Sequence, residues 1–353
     1  MSYDLAVNLP LRAAPAARLR DALANLPVDT SLLGYPAAEG SLAVREAIAA
    51  WLRRHHGFSA VDPRRLVLTN GARHALVLAL AQSCAPGDAL LMEELTYAGY
   101  RQAVIAHGAR PVPVAIDGEG MLPDALEAAA RRTGARVAYV HPTLHNPTTA
   151  TMSPARREAI VDVARRNHLT LIEGDVYGAL RTHDDTHLPA LADLAPERVL
   201  HAGGIGKILG PGLRIGWLLS PDDTIHHHVA ESIRVDTDGL PALLPAIVGG
   251  WMADGTADAL LDALIEAIRE RHAQAREALG PALQTAGGLH AWLPHPDADG
   301  AYARALAAGV RVTPPVPLNA DDTKAGRGLR LCLAAEESPE RLAQALQILA
   351  TLL

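Results

Sequence analysis

Between residues 65 and 219 short apolar runs alternate with stretches of helical periodicity, and this alternation limits the fold more than any other feature of the chain. β-rich runs fall at 65–69, 89–93, 111–115, 136–141, 169–173, 198–202 and 213–219, with helical patterns at 72–83, 97–106, 122–133 and 153–166. Such repetition builds strand–helix–strand units. The expectation is therefore an α/β fold with a mostly parallel sheet covered by helices on both faces. Ligands in these sheets bind beyond the carboxyl ends of the strands, in the loops that enter the helices.

Ahead of this region, Tyr35, Pro36 and Gly40 precede an amphipathic helix at 42–56 with Ser41 as its cap. After residue 221 the texture changes to helices at 222–234, 240–253 and 256–279. A smaller α+β segment follows, with strands at 289–293, 310–313 and 328–333 and helices at 298–308 and 337–352. The expected division is an arm at 1–30, a large domain at 31–235, and connecting helices with a small domain at 236–353.

Composition narrows the function classes. With 49% hydrophobic residues the chain has ample core, and a net charge of -7 offers nucleic acid no global basic field. The apolar stretches are too short or too interrupted to span a membrane, and the start lacks a basic segment followed by an apolar run. Cys84 and Cys332 lie in apolar segments and read as buried free thiols, which favours a cytoplasmic setting. The runs His55-His56 and His226-His227-His228 lack metal-ligand spacing, so no metal is expected.

Only two of the 32 basic residues are lysines, Lys207 and Lys324. Arginine never gives up its proton, whereas a desolvated lysine becomes a neutral nucleophile able to form a Schiff base. Lys324 lies in a polar loop, Asp-Asp-Thr-Lys-Ala-Gly. Lys207 lies in Gly-Gly-Ile-Gly-Lys-Ile-Leu-Gly-Pro-Gly between two strand-like runs, where a chemical role is the better reading.

Several motifs stand in order along the chain: Thr69-Asn70-Gly71-Ala72-Arg73, Met92-Glu93-Glu94-Leu95-Thr96-Tyr97, and His145-Asn146-Pro147-Thr148-Thr149. Glu173-Gly174-Asp175-Val176-Tyr177 follows, then Lys207 with Pro211-Gly212-Leu213-Arg214, and Gly328-Leu329-Arg330-Leu331-Cys332. Together, from Asp4 to the last helix, they resemble the fold-type I pyridoxal-phosphate enzymes of aminotransferase class I/II. The branch they resemble is the one shared with the aminotransferase-like domains of MocR regulators.

The resemblance implies pyridoxal 5'-phosphate as cofactor, an amino-acid or keto-acid substrate, and a homodimer. It assigns Ala72, Arg73 and Arg214 to the cofactor phosphate, Tyr97 to stacking on the ring, and Asn146 and Tyr177 to the phenolic oxygen. Lys207 would form the internal aldimine and serve in catalysis with Tyr97. Arg330 would clamp the substrate carboxylate beside Asn146, and Tyr35 would cross the dimer interface to the partner's phosphate.

The pattern is broken at several places. Gly204 and Gly206 stand where the family has serines whose hydroxyls contact phosphate, Thr149 replaces a glycine, and Pro315 replaces the glycine of a Pro-Gly turn. Gly174 stands where the family carries the aspartate that pairs with the pyridine nitrogen. Asp175 is next door, but adjacent strand residues face opposite sides, so it serves only if the glycine lets the backbone kink. The leading expectation is an aminotransferase. The alternatives are a pyridoxal-phosphate enzyme with altered chemistry (elimination, cyclisation or decarboxylation) or a degenerate, binding-only member. An effector module of a DNA-binding regulator is disfavoured by the acidic charge and by a resemblance that starts at Asp4.

Overall fold

The computed structural model describes residues 2–181, 188–321 and 324–353. In chain order the first strands are β1 (Tyr3–Leu5), β2 (Leu66–Asn70), β3 (Ala89–Glu93), β4 (Arg110–Val114), β5 (Ile116–Asp117), β6 (Gly120–Met121) and β7 (Val137–Val140). They are followed by β8 (Thr170–Asp175), β9 (Val199–Gly204), β10 (Ile215–Leu219), β11 (His290–Pro294), β12 (Val310–Val312) and β13 (Gly328–Cys332). Seven of these form one sheet in the order β2-β10-β9-β8-β7-β3-β4. Its ladders are parallel except at β10, which runs antiparallel to both neighbours. The expected α/β architecture is present, and every residue of β3, β7 and β9 is buried, as continuous apolar runs in a doubly covered sheet should be.

The helices follow from local chemistry. In Leu42–His55, Val44, Ala47, Ile48, Trp51 and Leu52 recur at helical spacing and form the buried face. Ser41 caps it by accepting from the Val44 amide, as its position suggested. Ser153 caps Pro154–Arg166 in the same way, and proline at the first helical position costs no hydrogen bond. A helix of 24 residues, Thr256–Leu279, leads toward the small layer. No helix among the described residues is long and apolar enough to cross a membrane. Both cysteines are free and buried.

The small layer has its own core, which includes Leu5, Val310, Leu329, Leu331 and Leu346. β11 pairs antiparallel with β13, while β1 pairs parallel with β12, Tyr3 opposite Val310 and Leu5 opposite Val312. The first residues are thus a strand of the small layer as well as an arm. A three-residue strand is too short to show periodicity, and its partner lies some three hundred residues away in sequence.

Candidate active site

The carboxyl ends of β2, β7, β8 and β9 open on a cavity of about 470 Å³, closed on one side by residues 6–9 and by Arg330 from β13. At the first of these ends, β2 turns at Gly71 (φ 76°) into the helix Ala72–Ser83. The turn presents unpaired amides and the positive end of a helix dipole to the cavity. Only glycine suits this turn, because a Cβ there would also lie 3.0 Å from the Arg214 guanidinium. Arg214, itself left-handed at φ 55°, donates from Nε to Asn70 Oδ1 at 3.2 Å and from its terminal nitrogen to the Asn70 carbonyl. Arg73 donates to the Tyr97 hydroxyl at 2.7 Å, with its guanidinium 5.7 Å from the ring centroid. Ala72, Arg73, Tyr97 and Arg214 therefore converge on one end of the cavity.

Lys207 ends a short 3₁₀ turn, Ile205–Lys207, after β9. Its Nζ donates to the Asn8 carbonyl at 2.6 Å. Burial, reinforced by the Arg330 charge, pushes its pKa down to about 8, so a useful fraction of the amine is neutral near physiological pH. Asn8 is a residue the motifs did not single out. Its side-chain amide also donates to the Tyr177 hydroxyl at 2.7 Å, which leaves the phenol's own proton free to donate elsewhere.

Asn146 follows β7, and its Oδ1 accepts from Arg330 at 2.8 Å. Since arginine only donates, this bond fixes the amide orientation and leaves the Asn146 NH₂ group available. Arg330 also donates to Thr313 Oγ1 and to the Ala6 carbonyl, so it is braced on three sides rather than standing without partners. Tyr177 stacks on His141 with ring centroids 5.5 Å apart and planes 9° from parallel. Burial drives His141 down to about 4, which keeps it neutral. Thr149 holds φ 64°, a conformation glycine adopts freely, so the loop keeps the turn that its Asn-Pro-Thr motif implies.

Two of the named residues lie outside the cavity. Tyr35, expected to act on a second copy and not on this cavity, is 91% exposed and does not line it. Asp175 faces the other side of the sheet: its carboxylate meets His56 Nδ1 at 2.8 Å and the Gly178 amide at 2.7 Å, with His201 Nε2 at 3.6 Å. The kink that would turn Asp175 inward is absent. The ladder runs regularly through Gly174↔Ala202 and Asp175↔Gly203. Burial alone would raise the Asp175 carboxyl, but His56 and His201 outweigh it and hold the group well below the usual carboxylate range.

At Gly204 a Cβ would meet the Ile215 carbonyl at 3.0 Å and the Ala72 amide nitrogen at 3.2 Å. Glycine there lets β9 pack close to the start of the helix Ala72–Ser83. The tyrosine beneath Gly174, Tyr139, lines the cavity and was not anticipated; its place on the inward face of β7 was the only available signal.

The family model described as aminotransferase class I and II matches residues 3–349. The chain belongs to this family. An archaeal alanine:glyoxylate aminotransferase superposes over 100% of this chain and 90% of its own, with a TM-score of 0.89 and 26% identity. LysN, an α-aminoadipate aminotransferase from Thermus thermophilus solved with N-(5'-phosphopyridoxyl)-L-leucine, gives a TM-score of 0.86 and 25% identity over 99% of this chain and 91% of that one. These likenesses establish the fold-type I architecture.

Among curated relatives, the aminotransferase swnA of Metarhizium robertsii is 40% identical over 43% of this chain and 33% of its own length. The HTH-type transcriptional regulator YdfD of Bacillus subtilis is 26% identical over 84% of this chain and 63% of its own. The chain thus spans between 33% and 63% of the length of these relatives.

Proposed function

We propose that the protein is a pyridoxal-phosphate-dependent aminotransferase that moves an amino group between an amino acid and a keto acid. The observation that carries this reading is the enclosure of Lys207, its pKa lowered to about 8, in one cavity with an anion-binding helix start and a braced arginine. The residues suit the cofactor group by group. The Gly71–Ala72 turn and Arg214 suit its phosphate, Tyr97 its ring face, and the Asn146 amide with the Tyr177 hydroxyl its phenolic oxygen. Lys207 Nζ suits its aldehyde.

When bound, pyridoxal phosphate supplies an aldehyde for the substrate amine and a ring that delocalises the charge left by the departing α-proton. Lys207 then has two tasks. Its Nζ would hold the cofactor's aldehyde carbon, and when free it would take and return the proton of the substrate carbon, for which a pKa near ambient pH is well suited. Arg330 grips the substrate carboxylate through a planar fork. Its bonds to Asn146 and Thr313 fix that fork before substrate arrives, so little ordering cost remains at binding.

The reading includes a homodimer in a cytoplasmic setting, with exposed Tyr35 reaching the second copy's phosphate end. A second reading, the same cofactor with elimination, cyclisation or decarboxylation, is favoured by one observation: no carboxylate lines the cavity among the described residues. Incubation with pyridoxal phosphate, borohydride reduction and peptide mass spectrometry should place the label on Lys207. Added to a separate, unreduced sample, amino acids should convert the cofactor to its amine form and release keto acids. Labelling elsewhere, or none, would sink the cofactor reading; substrate consumed without conversion of the cofactor to its amine form would select the altered chemistry.

A further inference from the structure

The cavity wall carries Arg73, Lys207, Arg214 and Arg330, and among the described residues it carries no aspartate or glutamate. Such a wall suits anionic groups and opposes any additional positive charge on a ligand. The neighbouring carboxylates of β8 are both committed elsewhere. Glu173 accepts from the Leu191 and Ala192 amides at 2.9 Å each, and Asp175 is held by His56 and the Gly178 amide.

Gly174, between them, faces the cavity. A Cβ on it would lie 2.7 Å from both the hydroxyl oxygen and Cε2 of Tyr139. The phenol thus fills the space that an acidic side chain at 174 would require. Tyr139 is 2% exposed, and burial holds its phenol well above its ordinary value, so the hydroxyl keeps its proton and is a donor. Of the other polar groups around the cavity, Asn8 is bonded to Tyr177, Asn146 to Arg330, and His141 Nδ1 accepts from the Asn146 backbone amide at 3.4 Å. His141 Nε2 has no hydrogen-bond partner among the described residues and is the competing donor, but the space beneath Gly174 is filled by Tyr139.

We propose that the Tyr139 hydroxyl, occupying the side-chain space missing at Gly174, donates to the ring nitrogen of the bound cofactor and keeps that nitrogen unprotonated. The inference rests on pyridoxal phosphate being the ligand of this cavity. Its chemical consequence is a weaker electron sink than a protonated ring gives, in a site otherwise equipped for amino-acid chemistry.

The test is the nitrogen NMR shift of ¹⁵N-labelled pyridoxal phosphate loaded onto the intact protein, with borohydride trapping on Lys207 as the measure of occupancy. At neutral pH the wild type should show an unprotonated, hydrogen-bonded pyridine nitrogen. Tyr139→Phe should move the shift toward that of free unprotonated pyridine and weaken cofactor binding about fivefold, the weight of one neutral hydrogen bond. The double variant Tyr139→Ala with Gly174→Asp makes room for a carboxylate and should move the nitrogen to the protonated range. A protonated nitrogen in the wild type, or a shift that answers to His141→Asn and not to Tyr139→Phe, would overturn the inference while leaving the cofactor reading intact. A wild type that traps no cofactor overturns that reading, and the inference with it.

Discussion

β8 ends with three residues that belong to two different environments. Glu173 and Asp175 leave one face and are wholly buried, the one on backbone amides and the other against two histidines. Gly174 leaves the opposite face, where arginines and a lysine border an open cavity. A single step along a strand separates a carboxylate used for architecture from a position where a carboxylate is missing. Proximity in sequence to a site is therefore no argument for membership of it. The side of the sheet decides, and the unbroken register through Asp175 fixes the side.

Four experiments test this contrast between the two faces. The largest effect is expected on the cavity side. Lys207→Ala should abolish both covalent capture of pyridoxal phosphate and amino-group transfer, since Lys324, the other lysine, lies away from the cavity lining. Retained covalent capture, read by mass spectrometry, would remove Lys207 from the centre of the site.

Asp175→Asn tests the other side. It strips a buried charge from its histidine partners and should cost about 3–5 kcal/mol of stability in denaturant titration, while the folded protein still binds cofactor. The wild-type advantage belongs to a carboxyl whose folded pKa lies below its unfolded value of 3.8. It is therefore fully present above that pH and fades as acidification passes through the folded pKa. A variant that loses cofactor affinity while keeping its stability would place Asp175 in the cavity after all.

Arg330→Ala should weaken carboxylate-bearing substrates by about 1.5–3 kcal/mol, the weight of a hydrogen bond to a charged group, and leave simple amines nearly unaffected. Arg330→Lys should not restore binding, because a point charge cannot reproduce the fork that also braces Asn146. Equal losses for acids and amines would mean that Arg330 serves Asn146 alone.

The smallest effect concerns protonation. Cofactor uptake by the free protein should rise with pH and level off above about 8, as the Lys207 amine becomes neutral. Arg330→Ala should shift that midpoint upward, because Arg330 is the second cause of the depression after burial. An unshifted midpoint would leave burial and Arg73 as the causes.

Much of this was legible from residue order. The alternation of strands and helices carries the sheet, and the scarcity of lysine carries Lys207. Ala72, Arg73, Tyr97, Asn146, Tyr177, Arg214 and Arg330 were reached through ordered motifs, and the fold brings all of them to one cavity. What escaped were residues whose importance depends on side and distance. Asn8 sits in a strap with no periodic signal, and it matters because the fold carries it to Lys207. Tyr139 reads as one more apolar strand residue until Gly174 is seen to lie over its hydroxyl. Asp175 was drawn toward the site by its neighbours in sequence, and the pleat sends it away.

The pairing of β1 with β12 has a mechanical consequence. Leu5 ends the β1 ladder, and the Ala6 carbonyl is still tied to Thr313, Arg330 and Cys332 of the small layer. Asn8, two residues on, offers its carbonyl to the lysine that follows β9 of the large sheet. Two fully extended residues reach at most ~7 Å, and the leash between the two layers is that short. Any swing of the small layer that exceeds the slack must either unzip three residues of strand or pull the acceptor off the lysine. The position of one layer is thus felt at the Lys207 amine of the other through the covalent backbone itself.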